Sequence, residues 1–398
     1  MATTFDPQAF NPHDPAFIAD PYPTYAQFRE HAPVQLVQPY NSHWVFRHAD
    51  VKTICEGKAL FLKNRKDAKP SPPPFGVMEN MPDGIFSMDP PRHDVLRPML
   101  DTLFAEAIEG SDQLAAGIAK ALLDNARHSG RIELYSAFAM PLPQQVLMTV
   151  LGIPRSDWPG VGQWVGAALA GHDITAPIGL QAMAGTCAMA LGGYLQALMR
   201  GCPMHDTGNS MLNLMVTKAE PDGMTREEVQ QTSVNFAVAG YLSTVFLIAT
   251  GTYNLLRNPA QLELLRSQPD LVHKAIEEML RYDAPFQIVD RYLAEDFEIA
   301  GTPLKAGDQV TAVLASANRD PDGFADPDVF DITRDDTTHF GFGDGIHYCI
   351  GAPLVRRVAP VAFQALLAEL PNMTLDGIAQ WQTDPYIRSV VNLPLAIG

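Results

Sequence analysis

Apolar residues recur at helical spacing over long parts of this chain, and only a few short stretches alternate as strands do. The helical pattern, or an alanine-rich composition, predicts helices over residues 25–31, 113–127, 144–151, 182–200 and 352–370. Alternation predicts short strands over residues 34–37, 43–47, 297–303 and 309–314, with turns at Gly301 and Gly307. We therefore expect a mainly α protein with a smaller β region. No repeat or linker divides the chain, so residues 1–398 are expected to form one domain.

One uncharged segment, residues 229–256, is long enough to cross a membrane. It carries many polar side chains, among them Gln230, Asn235 and Thr252, and neither flank has a cluster of basic residues. We interpret it as a long helix through the middle of a protein core. The proline-rich residues 69–75 are expected to form a loop.

Composition narrows the class of protein. Acidic residues outnumber basic ones by 45 to 28, and the net charge of −17 argues against nucleic acid or an anionic membrane as a partner. Residues 1–20 are polar, so we expect no signal segment there. We therefore expect the protein to be cytoplasmic. The four cysteines show no metal-finger spacing, and only Cys349 has a context that suggests reactivity.

The most informative stretch is residues 342–351, FGDGIHYCIG, which precedes an apolar helical run. Its glycines allow positive φ angles and a close approach of the backbone to a flat ligand. Successive N–H groups in such a turn can stabilise a thiolate. Phe342 would keep water from the sulfur of Cys349, and His347 offers a ring N–H two residues before it. A lone cysteine is more often a buried structural residue, which is the alternative to a reactive one.

This loop resembles the haem-thiolate loop of the cytochromes P450, whose pattern is Phe-Gly-x-Gly-x-His-x-Cys-x-Gly. Every specified position is filled, and this outweighs the structural alternative. The resemblance implies the cytochrome P450 fold, with a long central helix over a buried haem. It implies that the cofactor is haem b, that Cys349 is the axial ligand of its iron, and that Phe342, Gly343 and Gly351 shape the site.

A second segment agrees with this resemblance. Glu278 and Arg281 stand at i, i+3 spacing, which places them on one face of a predicted helix. Most such pairs lie on the surface and contribute little. In the family this pair is a buried structural ion pair beneath the haem, and Arg334 would complete it.

Four further residues resemble the family's propionate-binding positions. His93 and Arg97 stand one helical turn apart, Arg291 follows a proline by six residues, and His347 lies within the cysteine loop. Arginine binds carboxylates in bidentate fashion, and a haem carries two propionates. Each residue alone has an alternative as a capping or surface residue.

The central segment departs from the family pattern. The family pattern is a small residue, a glycine, any residue, an acid and a threonine. The first two make room for dioxygen, and the acid and the threonine deliver protons. Here Ala239 and Gly240 supply the small pair, Leu242 replaces the acid, and either Ser243 or Thr244 replaces the threonine. We favour Ser243, because the alternative register removes the small pair. The usual acid relay is then absent, and Leu242 could also serve only to shape the pocket.

The resemblance also places a substrate pocket, and most of its positions are apolar, which predicts a hydrophobic small-molecule substrate. Asn235 and Gln287 could orient one carbonyl or hydroxyl of this substrate. The candidate pocket residues are Phe75, Val77, Met78, Ile85, Phe86, Asn235, Val238, Phe286, Ile288, Val289, Val390 and Val391.

The implied activity is that of a monooxygenase supplied with electrons by a separate ferredoxin or flavodoxin and its reductase. Arg92, Arg356 and Arg357 could attract such an acidic partner. Two alternatives remain: a haem-thiolate enzyme using peroxide or nitric oxide, suggested by the missing acid, and a noncatalytic haem-binding protein. The sequence favours natural-product tailoring slightly over catabolism, by family analogy.

Overall fold

The computed structural model describes residues 5–57, 60–71, 83–126, 129–170, 175–201, 208–336 and 338–397. The helices are α1 (Pro15–Ala19), α2 (Tyr22–His31), α3 (His48–Glu56), α4 (Arg92–Ala107), α5 (Ser111–Ala126), α6 (Pro141–Leu151), α7 (Trp158–Ala170), α8 (Ile178–Gly201), α9 (Met211–Leu214), α10 (Arg226–Ala239), α11 (Leu242–Arg257), α12 (Pro259–Ser267), α13 (Val272–Tyr282), α14 (Leu314–Ala317) and α15 (Ala352–Glu369). The strands are β1 (Val34–Val37), β2 (Ser42–Val45), β3 (Phe61–Leu62), β4 (Arg131–Glu133), β5 (Val289–Leu293), β6 (Phe297–Ile299), β7 (Thr302–Leu304), β8 (Gln309–Ala312), β9 (Met373–Leu375), β10 (Gln380–Trp381), β11 (Val390–Asn392) and β12 (Pro394–Ile397).

The five predicted helices are present as α2, α5, α6, α8 and α15, although residue 127 lies outside the described residues and α15 ends one residue before the predicted end. Several begin earlier than predicted, and α2 and α6 do so with a proline in the first turn. Proline is tolerated there because the first helical N–H groups have no partner within the helix. The mainly α class with a smaller β region is confirmed.

The largest sheet has five strands in the order β1-β2-β8-β5-β3. Strands β1 and β2 form an antiparallel hairpin, and β2 pairs in parallel with β8, so that Ser42 faces Gln309 and Val45 faces Ala312. β5 and β3 extend the sheet in antiparallel fashion. The sheet carries Arg291 on β5, one of the predicted propionate-binding residues.

Residues 297–303 form a hairpin of two strands, and the predicted turn at Gly301 lies between them. Ala300 and Gly301 have φ angles of 47° and 79°, so the chain reverses between β6 and β7. The residue register of that hairpin pairs Ile299 with Thr302.

The predicted central helix is present but interrupted. α10 ends at Ala239 and α11 begins at Leu242, with Gly240 and Tyr241 forming a turn between them. Tyr241 has φ −124° and ψ −29°, outside helical values. A Cβ atom at Gly240 would collide with the Phe236 carbonyl and the Leu147 side chain, so only glycine fits the packing of this turn against α6.

Among the described residues, two helical stretches, 178–200 and 226–257, are long and apolar enough to cross a membrane by length and composition. In the second stretch, 72% of the most apolar 18-residue segment is buried inside the protein. α11 packs against α6, α13 and α15, which agrees with its interpretation as a core helix.

Candidate active site

The cysteine loop is a tight turn that leads into α15. Gly343 and Gly345 have φ angles of 71° and 68°, which other residues adopt only with strain. A Cβ atom at position 345 would also collide with the carbonyl of Cys55. The N–H of Cys349 donates to the carbonyl of Phe342 at 2.9 Å. The backbone thus fixes the position of Cys349, as the glycine pattern predicts.

The environment of Cys349 favours a thiolate once a cation is near it. The residue is half-buried. Burial raises the pKa of this thiol, whereas the N–H groups of Gly351 and Ala352 and the charges of Arg97 and Arg356 oppose that rise. A metal cation on the sulfur would outweigh the cost of burial. In the described part of the chain, no three His, Cys, Asp or Glu side chains are grouped to hold a metal ion.

His93 and His347 lie side by side, with ring centroids 4.7 Å apart. Both ring nitrogens of His93 and Nε2 of His347 are buried without a hydrogen-bond partner. Asp89 is 3.8 Å from His347 Nε2, too far for a hydrogen bond. Burial lowers the pKa of His93 and lowers that of His347 to about 4. Since unpartnered buried polar atoms are costly, this pair suits a ligand that supplies acceptors.

Two arginines flank the same region. Arg97 on α4 donates from Nη1 and Nη2 to the carbonyls of Ile346 and Tyr348, at 3.0 and 2.7 Å, and so ties α4 to the cysteine loop. Arg291 is only 4% exposed, and its Nη1 donates to the Asp290 carbonyl at 2.9 Å. Burial lowers the pKa of Arg291, which means that its charge needs an anion nearby.

The predicted ion pair is fully buried. Arg281 Nε and Nη2 donate to the two carboxylate oxygens of Glu278 at 2.7 and 2.9 Å, and both side chains are 1% exposed. Arg334 Nε reaches the same carboxylate at 3.2 Å. Arg281 also donates to the carbonyls of Asn318 and Pro327, both at 2.8 Å. This cluster fixes α13 to the segment that precedes the cysteine loop.

One face of the interrupted central helix is open. Ala239 is exposed, and Asn235, Val238 and Ser243 are half-buried, although most residues of both helices are buried. Their spacing places them along one side of the helix axis. Thr244 is only 3% exposed, so Ser243 is the alcohol on this face.

Comparison with known proteins identifies the family. Residues 201–370 match the family model for cytochrome P450. The chain is 36% identical over 393 residues to the cytochrome P450 monooxygenase PikC of Streptomyces venezuelae, covering 95% of this chain and 91% of that protein. The chain belongs to the cytochrome P450 family.

Further relatives match nearly the whole length of this P450. The 6-deoxyerythronolide B hydroxylase of Saccharopolyspora erythraea is 30% identical, with 96% of this chain and 97% of that protein covered. The crystal structure of CalO2 superposes with a TM-score of 0.87 at 30% identity, covering 98% of this chain and 99% of that one. The P450 is therefore an oxidoreductase, a haem-thiolate monooxygenase that inserts one atom of dioxygen into a hydrophobic small molecule.

The residues of this P450 fit the haem b that the family binds. The site offers a single thiol in a glycine turn, a buried arginine (Arg291), a half-buried one (Arg97), and two histidines with unpartnered ring nitrogens. A flat ring that carries an iron and two carboxylates would satisfy this set of donors, because the thiol suits the iron and the cationic and N–H groups suit the carboxylates.

The predicted pocket residues are found in different surroundings. Phe75, Val77 and Met78 lie outside the described residues. Asn235 and Val238 are on the open helix face, whereas Phe286, Val289 and Val391 are half-buried elsewhere. Ile85, Ile288 and Val390 belong to the buried core, and Phe86 is 59% exposed beneath the ammonium of Lys63.

The three arginines predicted to attract a redox partner each have an acidic neighbour in this P450. Arg92 donates to both carboxylate oxygens of Glu228, at 2.6 and 2.7 Å. Arg357 lies 3.8 Å from Asp112, beyond hydrogen-bond distance. Arg356 donates to both oxygens of a third carboxylate, that of Glu277, at 2.7 and 2.8 Å. Arg357 is therefore the least engaged of the three.

Sequence reasoning missed Glu277. This carboxylate is 15% exposed and also lies 3.1 Å from Nε2 of His339. Burial would raise the pKa of Glu277, but hydrogen bonds from Arg356 and His339 lower it to about 2. Its position directly before Glu278 hides it, since two adjacent acids on a helix are usually solvated.

Proposed function

We propose that Cys349 is the axial ligand of haem b in this P450, and that His93, Arg97, Arg291 and His347 bind the propionates. The observation that carries this proposal is the group of buried, unpartnered nitrogens beside a thiol held in a glycine turn. When bound, haem supplies dioxygen activation, while the protein supplies orientation and protons. Cys349→Ser is expected to abolish the thiolate-type spectrum of the ferrous carbonyl complex. Persistence of that spectrum would refute the assignment.

Ser243, with its small neighbours Ala239 and Gly240, is the residue that we propose to pass protons at the active site. It is a half-buried alcohol on the open helix face, and its hydroxyl can both donate and accept a hydrogen bond. Thr244 is the alternative, but its burial speaks against it. Since Leu242 cannot carry a proton, water or a polar group of the substrate would complete the route.

The proposed substrate is a large, mainly apolar natural product with one hydroxyl near Asn235. The open face of the helix is apolar except for Asn235 and Ser243, and Asn235 Oδ1 is buried without a partner beside Gly84. Relatives include the 6-deoxyerythronolide B hydroxylase, whose name points to a substrate of this kind. Val238, Phe86, Phe286, Val289 and Val391 complete the proposed lining, and Ile85, Ile288 and Val390 support it from the core.

A spin-state titration of the ferric protein tests the substrate class. A library of macrolides, terpenoids, steroids and fatty acids is added in turn, and displacement of the iron-bound water converts low spin to high spin. We expect macrolide-like ligands to produce the shift. A shift with fatty acids alone would refute the proposed class.

A second candidate function, peroxide-driven oxidation, is favoured by one observation. Leu242, 8% exposed, occupies the position of the family's acid. Product formation with hydrogen peroxide alone, at a rate equal to that with dioxygen and reductant, would establish it. A rate at least tenfold lower with peroxide would instead support a monooxygenase that receives its electrons from a redox partner.

We propose that a ferredoxin or flavodoxin with its reductase supplies those electrons in the cytoplasm. Such partners are acidic, and Arg357 is the most available of the three arginines near α15 and α4. Its replacement by glutamate is expected to raise the apparent KM for the partner and to leave substrate binding unchanged. Equal KM values for both proteins would refute this docking residue.

A further inference from the structure

Arg356, in the first turns of α15, contacts two aromatic residues of the cysteine loop. Its guanidinium lies over the ring of Phe342, with Cζ 4.7 Å from the ring centroid, within the range of a cation–π contact. Its Nη1 donates to the hydroxyl of Tyr348 at 2.9 Å. Phe342 and Tyr348 are the first residue of the cysteine loop and the immediate neighbour of Cys349, and their rings meet edge to face at 6.0 Å.

Glu277 holds this guanidinium in place. The two side chains form a bidentate pair through Nε and Nη2. His339 Nδ1 accepts the N–H of Gly341 at 2.9 Å, so the ring proton sits on Nε2, which faces Glu277 at 3.1 Å. The carboxylate is therefore fixed from two sides, and it stays ionised at neutral pH.

The result is one positive and one negative charge, both fixed close to the loop that carries the thiol. The pair borders an open cleft of about 220 Å³, lined by His273, Lys274, Ile276, Glu277, Arg356 and Pro360. Because solvent reaches the cleft, its charges act through a screened medium. Their influence on the sulfur is then moderate, and it depends on the balance between them.

We propose that the Glu277–Arg356 ion pair sets how strongly the Cys349 thiolate donates electron density to the haem iron. The pair would thereby set the reduction potential of the bound haem. This role rests on Cys349 as the axial ligand and is independent of the substrate. Arg356 acts through Phe342 and Tyr348, and Glu277 cancels much of its charge.

Opposite charge changes should move the potential in opposite directions. Reduction adds an electron to the haem, so loss of the cation in Arg356→Leu is expected to lower the potential. Loss of the anion in Glu277→Gln is expected to raise it. Each shift should correspond to a several-fold to roughly tenfold change in the reduction equilibrium, where tenfold is about 59 mV for a one-electron couple. The double variant should return close to wild type, and high salt should shrink both shifts.

Arg357→Leu is the matched control. It removes the same charge from the neighbouring position of α15, but Arg357 pairs only loosely with Asp112, and its shift should be less than half that of Arg356→Leu. The ferrous carbonyl spectrum of each variant shows whether the thiolate is still bound.

The proposal fails if both single variants shift the potential in the same direction, or if neither exceeds the control. It also fails if both lose the thiolate-type spectrum, because the pair would then be only a structural support of the loop. A wild-type protein without that spectrum would instead overturn the assignment of Cys349, and this proposal with it.

Discussion

Replacing Glu278 by glutamine should destabilise this P450 far more than its small change in shape suggests. The carboxylate accepts hydrogen bonds from Arg281, from Arg334 and from the N–H of Asp331 at 2.8 Å, and it is 1% exposed. Glutamine retains the length of the side chain, but its NH₂ group faces a guanidinium. Removal of one partner from a buried ion pair costs about 3–5 kcal/mol. At about 1.4 kcal/mol for each factor of ten, the unfolding equilibrium should shift by roughly two to three and a half powers of ten.

The assay is equilibrium unfolding in urea, followed by far-UV circular dichroism, on wild type and two variants. Glu220→Gln is the matched control, because Glu220 also accepts from an arginine, Arg226, but at an exposed position. Exposed pairs contribute about 0–1 kcal/mol. If the two variants lose the same stability, the buried charge cluster does not support the fold in the way described.

Three further outcomes are expected. Ser243→Ala should divert reducing equivalents to peroxide while a substrate is bound, whereas Thr244→Val should not. The measurement is the yield of peroxide per NADH consumed, and the reverse result would assign the proton-passing role to Thr244. Gly345→Ala should lose bound haem on gel filtration, because its φ of 68° and the nearby Cys55 carbonyl leave no room for a methyl group; Gly130→Ala, with φ of 69° and open space around it, should retain haem. The pKa of Glu277 falls from 4.5 to about 2 on folding, so its contribution to stability is full above about pH 4.5 and is lost as the pH falls towards 2. Glu277→Gln should therefore make the free energy of unfolding less dependent on pH between about 4.5 and 2. A pH dependence equal to that of wild type would contradict this role of Glu277.

Local patterns predicted the helices and the turn of the cysteine loop, whereas the fold, the haem and the roles of the site residues came from the family resemblance. The glycine spacing of residues 342–351 predicts a positive-φ turn, because those torsion angles depend on residues in the turn itself, and the angles at Gly343 and Gly345 agree. The pairing of Glu278 with Arg281 follows from helix geometry alone. Helix ends were less predictable, because tertiary contacts and prolines in the first turn extend them.

What the sequence missed depends on residues far apart in the chain. Glu277 meets Arg356 across 79 positions and His339 across 62, and no periodicity joins three such segments. The break at Gly240 follows from packing against Leu147 on α6, which composition does not reveal. The roles of the site residues and the organisation of residues 1–398 as one domain stay predictions.

The parallel contact between β2 and β8 has a consequence for biosynthesis. Residues 42–45 leave the ribosome early, yet their partners at 309–312 follow more than 260 residues later. At about 5–20 residues per second, the β1–β2 hairpin waits on the order of ten seconds to a minute with one edge unpaired. Nascent chains of this protein are therefore exposed to strand addition by other chains, and rapid synthesis or chaperone cover over that interval would improve the yield of folded enzyme.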